Sequence, residues 1–249
     1  MMNSRATSNA VRLFEPAVQT VSNDQSPQTH HQSWCWRLVE RCLAFVLAIP
    51  CVPLIAILWG LVKLTSPGPG IYRQLRSGCE GQQFDIFKLR TMTHNCEQQT
   101  GAVWSVPGDS RVTPLGKFLR KSHLDELPQL FNVLRGEMSL VGPRPERPEI
   151  IEKLVDQIPG YLDRLEVPPG VTGLAQIFHE PDRHVDDVRR KVHIDREYIN
   201  AASPWLDARI IFCTTLKMTG LNRRWVRSFL FPVLSRRLEG TRLTLDVSC

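Results

Sequence analysis

Several common features are missing from this 249-residue sequence. Its seven cysteines (35, 42, 51, 79, 96, 213 and 249) are odd in number and contain no C-x-x-C pair. That argues against a disulfide framework and against a structural metal site, and it suits a chain kept in a reducing, cytoplasmic setting. There is no internal repeat, which excludes a solenoid or a propeller. No long basic run and no zinc-finger spacing occur, so nucleic acid is not the expected partner. The first 33 residues are polar and aperiodic, with no apolar core behind a basic start. They read as a disordered tail and not as a signal peptide.

What is present is uneven. The net charge of +6 lies in two stretches. Lys63 to Arg90 carries five basic and two acidic residues, and Arg111 to Arg147 carries seven and four, so each contributes +3. Such patches fit a nucleotide phosphate or an anionic membrane surface. The length allows one domain with extensions and a sizeable core.

From Cys42 to Val62 there is no charged residue. These 21 residues match the roughly 20 needed to cross a bilayer. Arg37 and Arg41 flank one end and Lys63 the other, so neither flank is singled out as the cytoplasmic one. Pro50 and Pro53 fall near the middle, where each removes an N–H and crowds the preceding turn. The pattern predicts a re-entrant helix–break–helix over 34–64, entering and leaving on the cytoplasmic face, with a bent single-pass helix as the alternative and a soluble core helix as a third reading that this uncharged length disfavours. The rigid turn Ser66-Pro67-Gly68-Pro69-Gly70 ends it. A hairpin follows, out from Ile71 and back over Gln82 to Leu89, with Lys88 and Arg90 projecting to one side as phosphate ligands or as a solvated face.

The organising stretch is RVTPLGKFLRKSHLDELPQLFNVLRGEMSLVGPRPE, Arg111 to Glu146. Thr113 is the expected N-cap of a short helix, with Pro114 at its first position and Leu115, Phe118 and Leu119 buried. Pro128 then predicts a second helix starting near Asp125 to Leu127, with Leu127, Leu130, Phe131 and Leu134 on its apolar face and Gly136 at its end. Asp125 and Glu126 would sit at the positive end of that helix, beside Arg120 and Lys121. An acidic cap and a working carboxylate are both open readings here. Arg144, between two prolines, is held in a stiff loop. Beyond it, a helix over Pro148 to Val167 is interrupted at Pro159-Gly160, 168–173 is a turn, and 174–177 is a short strand or helix entry. Val185 to Asn200 and Trp205 to Met218 are helices. His179 and His184 are candidates to approach a ligand, with solvated histidines as the plain alternative. The segment 223–249 is basic and aromatic, suited to a membrane surface or to packing on the domain.

Taken in order, SPGPGIYRQLRSGCEGQQFDIFKLRTM, DSRVTPLGKFLRKSHLDELPQLFNVLRGEMSLVGPRPE, PPGVTGLAQ and WLDARIIF resemble the bacterial sugar transferase family, the monotopic polyprenol-phosphate phosphoglycosyl transferases. The resemblance runs from about Arg37 to Met218. It implies an α/β fold, mainly helical with a small β-hairpin, in a monotopic protein with an N-terminal re-entrant helix. The expected parts are the tail 1–33, the anchor 34–64, a catalytic domain 65–222 on the cytoplasmic face of the bacterial inner membrane, and the segment 223–249. The resemblance also implies a UDP-sugar, Mg²⁺, polyprenol phosphate and membrane lipids as partners, and leaves a homo-oligomer open. Asp125 matches the nucleophile and metal contact, Glu126 the second member of the dyad, and Arg120 a phosphate-binding arginine. Lys88, Arg90, Arg111 and Arg144 are the further candidates for binding phosphate or nucleotide, and Pro50 or Pro53 matches the bend in the anchor. The sequence departs from the family at His123, where a small hydroxyl residue is usual, and at Leu89, where an aromatic is. It resembles the family's short form, without the multi-helix N-terminal region of larger relatives. A membrane-anchored lipid-binding scaffold and a glycosyltransferase releasing UDP are the competing readings.

Overall fold

The computed structural model describes residues 31, 33–96, 108–179, 182 and 184–218. The expectations for the N-terminal tail, most of the 93–108 loop and the basic C-terminal segment lie outside these residues.

Helix α1 (Trp34–Thr65) runs unbroken for 32 residues, with Pro50 and Pro53 inside it. The expected interruption at the prolines is not there. Each proline removes one donor from the i→i−4 ladder, and the bonds on either side still hold the helix together. Glu40, Ala44, Ala48, Ile55, Leu58 and Val62 are buried, and Cys51 packs beside them. These positions recur every three or four residues, so one stripe of the helix is covered along most of its length. Between the basic residues Arg41 and Lys63 the remaining surface stays apolar and largely exposed, as at Ile49 and Ile57.

The stripe explains the layout of the domain. Ala44 joins the main core with Leu130, Val133, Leu140, Tyr198 and Ile210, while Ile55, Leu58 and Val62 pack with Leu89 and Leu119. Each such side chain, once buried, contributes about 1.5–3 kcal/mol. At the N-terminal end a buried polar network ties the helix down. The His31 imidazole bonds the Tyr198 hydroxyl at 2.7 Å, Tyr198 donates to Asp207 at 2.8 Å, and Ser139 donates to Glu40.

The sheet is small, as expected. Strands β1 (Ile71–Ser77) and β2 (Gln83–Leu89) pair antiparallel, Ile71 opposite Leu89. Helix α2 (Pro114–Ser122) starts as expected, with Thr113 accepting from the Gly116 N–H at 3.0 Å. Leu119 is fully buried, but Phe118 is 57% exposed because the opposite face of α2 points outward. His123 ends α2 in the left-handed region (φ 57°) and makes no side-chain cap.

The second predicted helix is built differently. Leu124–Gln129 is a 3₁₀ turn, and α3 (Leu130–Arg135) follows. Pro128 cannot donate back to Leu124 as an α-helix requires, so the first turn tightens. The buried face is Gln129, Leu130, Asn132 and Val133, while Phe131 is 40% exposed. The reason is Asn132. Its amide donates to the Asp85 carbonyl at 2.7 Å and accepts from the Phe87 N–H at 3.1 Å, so it takes the place of a strand against β2. Gly136 ends α3 with φ 78°.

Strand β3 (Ser139–Val141) pairs parallel with β4 (Gly170–Thr172), where the sequence reads as a turn. Three residues carry too little periodicity to be seen. Helix α4 (Pro148–Leu154) stops before Pro159, and Tyr161–Leu165 is 3₁₀. Helices α5 (Leu174–Phe178), α6 (Val185–Ala201) and α7 (Pro204–Met218) complete the described fold, with Ile210 and Cys213 fully buried on α7.

Leu119→Ala is expected to lower stability by about 2–5 kcal/mol, because it empties the junction between α2, β2 and the end of α1. A denaturation midpoint in detergent measures this, and a change below about 1 kcal/mol contradicts the packing described.

Candidate active site

A cavity of about 1320 Å³ opens between the end of α1, the hairpin, the 3₁₀ turn and α6. Its lining includes Asp125, Glu126, Lys88, Arg90, Arg111, Arg120 and Arg144, so both carboxylates and all five candidate phosphate or nucleotide ligands of the sequence reach it. Their roles within it differ.

Glu126 is fixed. It accepts from Lys88 at 3.1 Å, and Arg144 approaches it at 2.5 Å and 3.3 Å. Burial alone would raise its pKa; Arg144 and Lys88 outweigh that and hold the carboxylate below its ordinary range. Arg144 is raised above its usual value, chiefly by Glu126. Lys88 is lowered to about 8 by burial and by Arg144, against the pull of Glu126. Each partner comes from a separate element: Lys88 from β2, Glu126 from the 3₁₀ turn and Arg144 from the loop after β3. Behind Arg144, Arg164 donates to its carbonyl at 3.0 Å and is itself paired with Asp195 at 2.8 Å.

Asp125, the next residue, is different. Among the described residues its carboxylate has no hydrogen bond and no ion pair within 4 Å, though the residue is only 8% exposed. It lines the cavity. Burial and then the Glu126 charge push its pKa up to about 6, against Lys88, Arg144 and Arg120. A cap reading is therefore corrected: Asp125 lies inside the 3₁₀ turn, whose N-cap is His123. Its neighbours, more than the helix end, set its charge. Of the two carboxylates, Asp125 is the one with oxygens open to a metal ion or an electrophile, since both Glu126 oxygens are taken.

The arginines divide. Arg120 donates to the Thr91 hydroxyl at 2.8 Å, and Arg111 grips Asp109 at 2.6–3.1 Å. Arg90, just past the end of β2, lines the cavity with Lys88 but is engaged at the end of α1. Its guanidinium reaches the carbonyls of Ser66 and Pro67, each at 2.7 Å, and the Ser66 hydroxyl at 2.7 Å. A cation there meets the negative end of the α1 dipole.

A second charged wall faces this group. Lys191 on α6 is held between Glu146 at 2.5 Å and Asp182 at 2.6 Å, and Arg76 lies 3.7 Å from Glu146. Burial opposes ionisation of Asp182, but His179 and Lys191 bring its pKa down to about 2. His179 thus lines the cavity, while His184 caps α6 through Asp187. Lys191 sits in a helix of mixed charge and carried no signal; Glu146, closing the Pro-Arg-Pro loop, was the available hint. Elsewhere, His31, Glu40 and Asp207 place ligand atoms within 4.8 Å of one another, but they belong to the network that anchors α1.

The bacterial sugar transferase family matches residues 31–220. A UDP-N-acetylgalactosamine-undecaprenyl-phosphate N-acetylgalactosaminephosphotransferase of Aeromonas hydrophila is 45% identical over 184 residues, 73% of this chain and 43% of that protein. A UDP-glucose:undecaprenyl-phosphate glucose-1-phosphate transferase of Klebsiella pneumoniae is 40% identical over 183 residues, 73% of this chain and 39% of its own length. One of the same name in Caulobacter vibrioides is 41% identical over 180 residues, 72% of this chain and 67% of its own. The match thus spans about two fifths of the first two relatives.

Asp125→Asn is expected to stabilise the fold at neutral pH. A carboxyl raised from 3.8 to about 6 costs the folded state stability once it ionises. The gain from the amide is small near pH 4, grows through pH 6 and levels above it, at about 1–3 kcal/mol. Denaturation midpoints at pH 4.5 and 8 read it; equal gains at both would contradict the raised pKa.

Proposed function

The chain belongs to the bacterial sugar transferase family, and we propose that it moves a sugar-1-phosphate from a UDP-sugar to polyprenol phosphate, releasing UMP, as the initiating step of surface-glycan or exopolysaccharide synthesis. The observation that carries this reading is the asymmetry of the dyad: Asp125 unpartnered on the cavity wall, Glu126 clamped between Lys88 and Arg144.

In the first step an Asp125 oxygen attacks the sugar-linked phosphorus. The O–P bond forms as the bond to the UMP oxygen breaks, and UMP leaves with that electron pair. In the second step a phosphate oxygen of polyprenol phosphate attacks the same phosphorus and the Asp125 carboxylate leaves. A covalent intermediate divides one difficult phosphoryl transfer into two. Lys88, Arg120 and Arg144 stabilise charge on the transferring group. Glu126 keeps Lys88 and Arg144 in place without competing for the phosphorus. Asp125 is also the residue that would hold Mg²⁺, whose chemistry when bound is to offset the charge of the diphosphate.

Helix α1 is read as an unbroken anchor with both ends on the cytoplasmic face of the inner membrane, lying along that face with its exposed apolar side in the lipid. The domain covers its stripe from Glu40 to Val62. A span with Trp34 and Thr65 on opposite sides would draw α3 and β3 into the hydrocarbon region, with polar side chains such as Asn132. With the other cysteines replaced, Cys35 and a T65C cysteine should react with an impermeant maleimide from the same side of oriented vesicles. Labelling from opposite sides would overturn this topology.

Asp125→Asn should abolish both UMP release and the phosphosugar-enzyme. Full activity of that variant would sink the assignment. UDP as the released nucleotide would point to direct glycosyl transfer, and no release to a membrane scaffold. The first step should be bell-shaped in pH. It falls below about 6 as Asp125 protonates and above about 8 as Lys88 loses its proton.

A further inference from the structure

The same cavity that exposes Asp125 also reaches the membrane helix. Trp59 and Lys63, one turn apart on α1, are both among its lining residues. Of the three basic residues of α1 (Arg37, Arg41 and Lys63), Lys63 alone lines it. Lys63 is exposed, and among the described residues no ion pair or hydrogen bond engages its ammonium. Around it on the same turns Ile57, Leu61 and Leu64 are exposed apolar side chains, at 63%, 42% and 84%. A cation therefore stands where an apolar outer surface meets the mouth of a polar cavity.

The place is held firmly. Arg90 fixes the Ser66 and Pro67 carbonyls just beyond Lys63, and the Arg90 N–H donates to the Gly70 carbonyl at 2.9 Å. Gly70 lets the chain pass close to Trp59, since a Cβ there would lie 2.4 Å from the Trp59 ring and one of the two would have to move. So the last turns of α1, the proline-rich turn and the end of β2 form one rigid rim.

We propose that this rim is the entry for a lipid monophosphate. Lys63 pairs with the phosphate, the exposed face of α1 accompanies the hydrocarbon chain, and Arg90 acts as a positioning residue for the rim. Both halves of such a ligand are met at once: a point cation for phosphate beside a surface that carries no charge from Cys42 to Val62. This rests on the reading above, in which polyprenol phosphate is the acceptor, and it assigns Lys63 to the second step only.

The test is Lys63→Gln, with Lys63→Arg as the charge-retaining control, in nanodiscs of neutral lipid. With UDP-glucose or UDP-N-acetylgalactosamine and no acceptor, single-turnover UMP release by Lys63→Gln should equal that of wild type. With undecaprenyl phosphate added, kcat/KM for its discharge of the phosphosugar-enzyme should fall about tenfold or more. Lys63→Arg should recover most of it. Discharge at the wild-type rate, or an equal slowing of UMP release, overturns the proposal. Binding of the unloaded protein to nanodiscs with and without undecaprenyl phosphate gives a readout independent of turnover. Wild type should prefer the phosphate-bearing discs and Lys63→Gln should lose that preference; no preference in wild type counts against the entry. Absence of UMP release from wild type would instead count against the transferase reading itself.

Discussion

Three charges meet at Glu126, and much of the molecule serves to keep them together. Taking Lys88, Glu126 and Arg144 out of water is costly, and the cost is offset only if each charge finds its partner at close range. The 2.5 Å and 3.1 Å contacts provide that. They in turn require β2, the 3₁₀ turn and the loop after β3 to stay in fixed positions. Asn132 holds β2 to α3, Arg164 holds the backbone of Arg144, and Asp195 holds Arg164. The site is thus supported by an outer layer of polar side chains that never reach the chemistry.

This arrangement also separates two adjacent carboxylates with the same local sequence context. Glu126 is satisfied and strongly acidic; Asp125 has no such partners, and it is buried beside a charge of its own sign. A helix-terminus argument treats both alike. What distinguishes them is the direction of each side chain from a tight 3₁₀ turn, and that turn exists because Pro128 removes a donor.

Much of the frame was legible in the chain. The hairpin, the Thr113 cap, the two long C-terminal helices and the gathering of Asp125, Glu126, Lys88 and Arg144 all follow from turn chemistry, periodicity and motif. The buried face of α3 did not, because Asn132 and Gln129 are polar and hydrophobic spacing cannot find them. Nor did Lys191: a lysine in a charged helix looks solvated until Glu146 and Asp182, far away in sequence, close over it. Arg90 lies on the cavity as strand alternation suggests, but its hold on the Ser66 and Pro67 carbonyls, far away in sequence, has no local signal. The two prolines in α1 signalled a break, yet the covered stripe and the surrounding ladder keep the helix whole.

The grip of Arg90 on the end of α1 makes the anchor and the catalytic cleft parts of a single frame. Another hydrophobic helix spliced in at Trp34–Thr65 would still bring the domain to a bilayer, but at an orientation of its own. The anchor is therefore not a modular tether. It carries the information that aims the cleft, because the grip of Arg90 sets the end of α1 against the hairpin that lines it.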